Sequence, residues 1–136
     1  MRCISLLIAG SVLASCTNAP PPSAEARTPS QQSNYDRAVG GKVAGKPMDC
    51  LPTYQQNDMS VIDGRTVAFR VGQGTAYLVH FTPGCELLDA GHYALLSRQF
   101  GSAQLCRGDI QQVVDIMNRT TVGSCSVADI VPYKKP

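Results

Sequence analysis

Four cysteines, Cys50, Cys85, Cys106 and Cys125, limit what this 136-residue chain can fold into more than any other feature. An even number of cysteines in a small domain reads as a disulfide framework. Their gaps lack the two-to-four-residue spacing of zinc knuckles, and no CxxC redox pair occurs. Structural disulfides are therefore the expected state, ahead of a zinc site that would combine thiols with His80 or His92. Each closed loop would contribute about 3 to 4.5 kcal/mol on a chain-entropy basis. Three pairings are open. The nested one, Cys85–Cys106 inside Cys50–Cys125, is favoured because it joins the ends of the domain. A hairpin turning near Thr120 would set Cys125 opposite about Asp115, which counts against Cys106–Cys125.

Around the cysteines run short β-like segments separated by turn residues. Val61-Ile62 leads into Asp63-Gly64, a two-residue hairpin signal, and then Arg65 to Val71. Val67, Phe69 and Val71 share one face there, with Thr66, Ala68 and Arg70 on the other. Gly72-Gln73-Gly74 turns the chain into Thr75 to Phe81, where Tyr77, Val79 and Phe81 alternate and His80 faces away from them. Glu86 to Gly91 fits a helical turn. His92 to Arg98 and Asp109 to Met117 read as further strands, Asn118 to Gly123 as a polar turn, and Ser126 to Val131 as the last strand. Closely spaced strands without a long helical pattern predict an all-β fold, a small antiparallel barrel or sandwich of about six strands over residues 46–136. A core of that size is modest, so covalent staples would help.

The remaining third has a different character. Met1-Arg2 supplies a positive start, and Ile4 to Leu13 is a mostly apolar ten-residue run. That is too short to span a bilayer, which takes about 20 apolar residues, and it suits a signal peptide over residues 1–15. Leu13-Ala14-Ser15-Cys16 follows at once and resembles the lipobox of bacterial lipoproteins. The resemblance implies diacylglycerol on Cys16, cleavage before it, and a membrane as partner through the lipidated residue. Thr17, where inner-membrane lipoproteins often carry Asp, implies the periplasmic side of the outer membrane. Two or three acyl chains hold firmly where one does not, at about 0.8 kcal/mol per buried methylene. Residues 16–45 contain Pro20-Pro21-Pro22 with much Ser, Ala, Gln and Gly, so they are expected to be a disordered tether. Twenty-nine residues from Thr17 would reach about 30 Å as a coil and about 90 Å fully extended.

From Lys46 onward eight basic residues meet eight acidic ones, with the signs interspersed. Nucleic-acid binding needs a basic patch to displace counterions, and this segment has none. The sequence also lacks GxSxG, P-loop, HExxH and Rossmann patterns.

Several motifs taken together resemble a family of small exported Gram-negative proteins of unknown function. They are Asp49-Cys50-Leu51-Pro52, Val61 to Arg70, Gly84-Cys85-Glu86-Leu87, Leu105 to Ile110, and Gly123-Ser124-Cys125-Ser126 running into Val131-Pro132-Tyr133. They cover nearly all of Pro47 to Tyr133. The resemblance implies an envelope location and a cystine-bearing β domain, and it brings no catalytic residues. Ala128-Asp129-Ile130 departs from the pattern, where a glycine and an aromatic belong, so the last strand is expected to pack differently there.

The residues that invite a chemical role have plainer readings beside them. Arg107-Gly108-Asp109 spells an integrin-type tripeptide, but a turn with Asp109 bonding local backbone is the expectation. His80 and His92 would serve as ligands or bases only with partners the sequence does not reveal. Asp109 and Asp115, six apart in one run, would lie about 20 Å apart on one face, too far for a carboxylate pair. The sequence thus points to a non-enzymatic envelope module with no cofactor or metal and an envelope protein as partner. A metal- or thiol-dependent enzyme and a purely structural lipoprotein are the alternatives.

Overall fold

The computed structural model of the chain describes residues 26–52, 55–98 and 103–136; the signal-like segment and Cys16 lie outside the described residues. The elements are helix α1 (Pro29–Val39) and strands β1 (Val43–Ala44), β2 (Cys50–Pro52), β3 (Met59–Asp63), β4 (Thr66–Val71) and β5 (Thr75–Phe81). A 3-10 helix (Glu86–Ala90) follows, then β6 (Tyr93–Ser97), β7 (Gln104–Cys106), β8 (Ile110–Asp115) and β9 (Thr120–Lys134). The fold is mostly β. One antiparallel sheet in the order β3-β4-β5-β9-β8-β6 curls into half a barrel, with β1 added beside β9. Strands β2 and β7 make a separate two-stranded ribbon.

The β3–β4 hairpin closes with Asp63 opposite Thr66, so Gly64 and Arg65 take the turn positions. Strand β9 is shared between two neighbours. Its first half pairs with β8 and its second half with β5. One register shift lies in each half, at Val113/Val114 and at His80/Phe81. Extra residues of this kind bend a strand and increase its twist, which curls the sheet. The two edge strands, β3 and β6, both contact the 3-10 helix. Its Leu88 is buried between them, so the helix occupies the seam the open barrel leaves.

Two cores result. Val67, Phe69, Tyr77, Val79, Phe81 and Val127 fill the concave side, joined by Leu51 and Leu105 from the ribbon. A smaller cluster of Ile62, Ala68 and Leu78 packs beneath Ala38 of α1 on the convex side. The alternation read from the sequence is present, but both faces of β4 and β5 are covered.

Three expectations are corrected. Disorder does not extend through residue 45, because Pro29–Val39 is helical and Val43–Ala44 pairs with β9. Thr28 caps the helix, accepting from the Gln31 amide while the Gln31 side chain accepts from the Thr28 amide, and Pro29 begins the first turn. Burial of Ala38 then supplies what a polar sequence lacked. The last strand starts at Thr120, not Ser126, and the turn occupies Ile116 to Arg119. Asp115 organises that turn, accepting from the amides of Met117 (2.8 Å) and Asn118 (3.2 Å) and from Asn118 Nδ2 (2.9 Å). Cys125 consequently lies opposite Gln111, not Asp115.

The third correction concerns the cystines. The bridges are Cys50–Cys106 and Cys85–Cys125, interleaved instead of nested. Strand register dictates the first, since Cys50 is directly opposite Cys106 with Cα atoms 4.0 Å apart. The second follows from the chain leaving β5 beside β9. Gly84, at φ 121°, lies so close to that strand that a Cβ would fall 2.0 Å from the Ser124 carbonyl oxygen. Only glycine accepts both the angle and the approach.

Candidate functional site

The departure flagged at Ala128-Asp129 is where the second register shift occurs. His80 is paired with Asp129 and Phe81 with Val127, leaving Ala128 as the extra residue. The register that runs unbroken from Thr75/Lys134 to His80/Asp129 sets the Asp129 carboxylate on the convex face beside His80, with Nδ1 and Oδ1 2.5 Å apart, and the shift follows immediately after. Both side chains are partly exposed. They stand in a cleft of about 560 Å³ bounded by the Gly64-Arg65 turn, the Thr82-Pro83 loop, the start of the 3-10 helix and the N-terminal end of α1.

Helix α1 reaches this cleft through specific contacts. Arg27 Nε donates to Asp63 Oδ2 at 3.0 Å, and its guanidinium lies 4.3 Å from the centre of the Tyr35 ring. Gln31 Nε2 donates to Asp89 Oδ2 at 2.6 Å, linking α1 to the 3-10 helix. Asp63 also accepts from the Arg65 amide at 2.9 Å. Opposite, both Glu86 oxygens accept from the Gly84 amide, at 2.9 and 3.0 Å. That bond foremost, then the amide of Glu86 itself and the nearby Arg65 charge, hold the Glu86 carboxyl below its ordinary pKa. Gly64 forms part of the wall because its backbone touches Glu86; an added Cβ would sit 2.4 Å from the Glu86 carbonyl oxygen. A smaller hollow of about 400 Å³ adjoins it past Gln31 and Asp89, along Val61, Leu88 and Tyr93.

A carboxylate on Nδ1 orients an imidazole, as in a proton-transfer pair. Among the described residues no hydroxyl or thiol is hydrogen-bonded to His80. Thr82, the hydroxyl on the adjoining loop, bonds Ser126 Oγ at 3.2 Å and accepts from the Ser126 amide at 2.9 Å. The lining contains four acids (Asp63, Glu86, Asp89 and Asp129) against two arginines (Arg27 and Arg65), in a segment whose charges otherwise balance.

Other residues singled out in the sequence lie apart from this cleft. His92 packs on Tyr93 with ring centres 4.2 Å apart. Arg107-Gly108-Asp109 is a turn, as expected, with Asp109 Oδ2 accepting from the Cys106 amide at 2.7 Å. Arg107 engages Asp49 and the Ala128 carbonyl. Asp115 serves its own turn, and its carboxyl is held below the usual range chiefly by the Asn118 side chain. The four domain cysteines are all oxidised, so none offers a thiol. Sequence reasoning missed Arg27, Gln31 and Glu86, although Thr28-Pro29-Ser30-Gln31 carried a readable helix-start signal.

Comparison with family models, with curated proteins and with solved structures finds no match.

Proposed function

We propose that this chain is an envelope lipoprotein of a Gram-negative bacterium whose folded part is a non-enzymatic binding module. Cys16 carries the lipid, and the domain faces the periplasm from the outer membrane. The observation that carries the binding reading is the charged cleft beside the His80–Asp129 pair, a built concavity of ligand size. The Leu13-Ala14-Ser15-Cys16 pattern supports the anchor, and two disulfides suit an oxidising compartment. The resemblance to exported four-cysteine proteins agrees with both.

The docked helix shortens the tether. Arg27 is held to Asp63, so only Thr17 to Ala26 separate the anchor from the domain, at most about 35 Å of chain. The cleft lies at the point where that chain enters the domain, since Ala26 is part of its lining. Its ligand must therefore be presented close to the membrane surface.

Two measurements test this reading. The intact mass of the mature protein should equal residues 16–136 plus acylated diacylglycerol, less four hydrogens for two disulfides. A photo-reactive residue at Ala128, in living cells at native expression, should give one reproducible adduct that the same probe at Met117 does not give. An unacylated mature chain sinks the anchor; repeated failure to trap an adduct sinks the binding role.

A further inference from the structure

The lining of the cleft is unequal in what it has left to offer. Each positive or amide side chain of the lining already has a partner: Arg27 holds Asp63 through Nε and lies over the Tyr35 ring, Arg65 is itself partnered, and Gln31 donates to Asp89. Two of the carboxylates keep open acceptor sites. Asp129 uses Oδ1 for His80, and among the described residues Oδ2 has no donor. The partners of the Glu86 carboxylate are the backbone amides of Gly84 and of Glu86 itself, leaving lone pairs of an exposed carboxylate open. An anion entering this cleft would face four carboxylates, Asp63, Glu86, Asp89 and Asp129, against two arginines that already have partners; a cation would be attracted by that excess and could take the open oxygens of Asp129 and Glu86.

Beside these oxygens the lining includes apolar Pro83, Ala128 and Ala26. A compact, fully hydrated ion would leave these residues unused. A charged head on an aliphatic stem would use both parts, with the stem along the apolar residues and the head at the carboxylates. Resting on the binding role proposed above, we infer that the cleft takes an alkylammonium or alkylguanidinium group, held between Asp129 and Glu86. Two sources share this chemistry: a Lys or Arg side chain presented by a protein near the membrane, and a free polyamine.

The test uses the full chain with both disulfides intact and follows backbone amide resonances by NMR. Probes are N-acetyl-lysine methylamide, N-acetyl-arginine methylamide, spermidine, and N-acetyl-norleucine methylamide as the uncharged stem. The cationic probes should move the Gly64, Ala128 and Asp129 amides, and the norleucine probe should not. Asp129→Asn and Glu86→Gln should each weaken the cationic probes about tenfold or more, the scale of a lost charged hydrogen bond. Glu86→Gln alters an exposed side chain and guards against a folding defect at the Ala128 bulge. Tighter binding of the amino-acid probes identifies a protein side chain as the source, and tighter binding of spermidine identifies the polyamine.

Norleucine binding equal to lysine overturns the cationic inference while leaving a ligand-binding cleft. So does wild-type affinity in both variants. Silence from every probe, with a photo-adduct still formed at Ala128, overturns the inference alone. Silence from both experiments overturns the inference and the binding role together.

Discussion

The two halves of the curled sheet are built from the same strand, β9, yet they are finished differently. Where β9 pairs with β5, the convex face lies under α1, and Ala68 and Leu78 are as buried as Val67 and Val79 behind them. Where it pairs with β8, no described helix covers that face. Leu96 and Ile110 are then about half exposed, at 47% and 53%, while Gln111 and Val113 point into the core. The comparison shows why alternation was a good guide to one half and an incomplete one to the other. A face of small and apolar residues, such as Ala68, Ala76 and Leu78, reads as merely not polar until a helix is set on it. The bare half relies on covalent closure instead, through the buried Cys85–Cys125 bridge at the point where the sheet bends.

The largest effect should come from that bridge. Replacing Cys85 and Cys125 together by Ala should cost about 4 kcal/mol of unfolding free energy, as measured by denaturant titration, from the loop it closes. Mild reductant should open Cys50–Cys106 first, because its sulfurs sit in half-buried residues at the ribbon, whereas Cys85 and Cys125 are buried. Reduction in the opposite order, followed by mass of alkylated peptides, would place the covalent dependence in the wrong half.

Leu78→Ala should cost about 3 kcal/mol, within the usual range for a large-to-small change in a core. Leu96→Ala, on the bare face, should stay within about 0.5 kcal/mol. Similar values for the two would erase the distinction between the halves. Thr28→Ala, which removes the helix cap, should cost about 1 kcal/mol and raise hydrogen exchange in Pro29–Val39 without affecting β8.

Alkaline titration gives the smallest signal and reads the helix-covered half alone. Burial first, then the bond to Tyr35 Oη at 3.2 Å, pushes the Tyr133 phenol up to about 12 from its ordinary value near 10. The folded state thus keeps its proton where the unfolded chain gives it up. The stability this contributes is fully present below about pH 10 and is lost as pH rises toward 12. Helix α1 should loosen in that window, seen as phenolate absorbance together with loss of helical ellipticity. Tyr133→Phe should abolish that pH dependence.

How much of the molecule was legible follows the same division. The β3–β4 hairpin, the β4–β5 alternation, the helical turn after Cys85 and the strands at β6 and β8 were readable, because each is a pattern among near neighbours. The 3-10 helix could be located by sequence, but its position in the seam between β3 and β6 could not. Of the candidate site, His80 was legible as a half-exposed residue on the convex face, and Asp129 only as a place where the strand would behave differently. Their meeting needed the register of β5 against β9, which pairs His80 with Asp129 and exists only once the two strands lie side by side. Arg27 and Gln31 were lost to a composition argument, since α1 buries little besides Ala38 and looks polar in isolation.

By itself the sequence determined the period of the strands, the glycine and aspartate turns, the even set of oxidisable thiols, and the absence of a basic patch. Those properties depend on residues a few positions apart. The tertiary structure alone decided which cysteines joined, that a polar stretch became a docked helix, and that a histidine met a carboxylate 49 positions away. Each of these is an encounter between distant segments. Such encounters depend on how the whole sheet curls, because the shared strand must satisfy β5 and β8 at once.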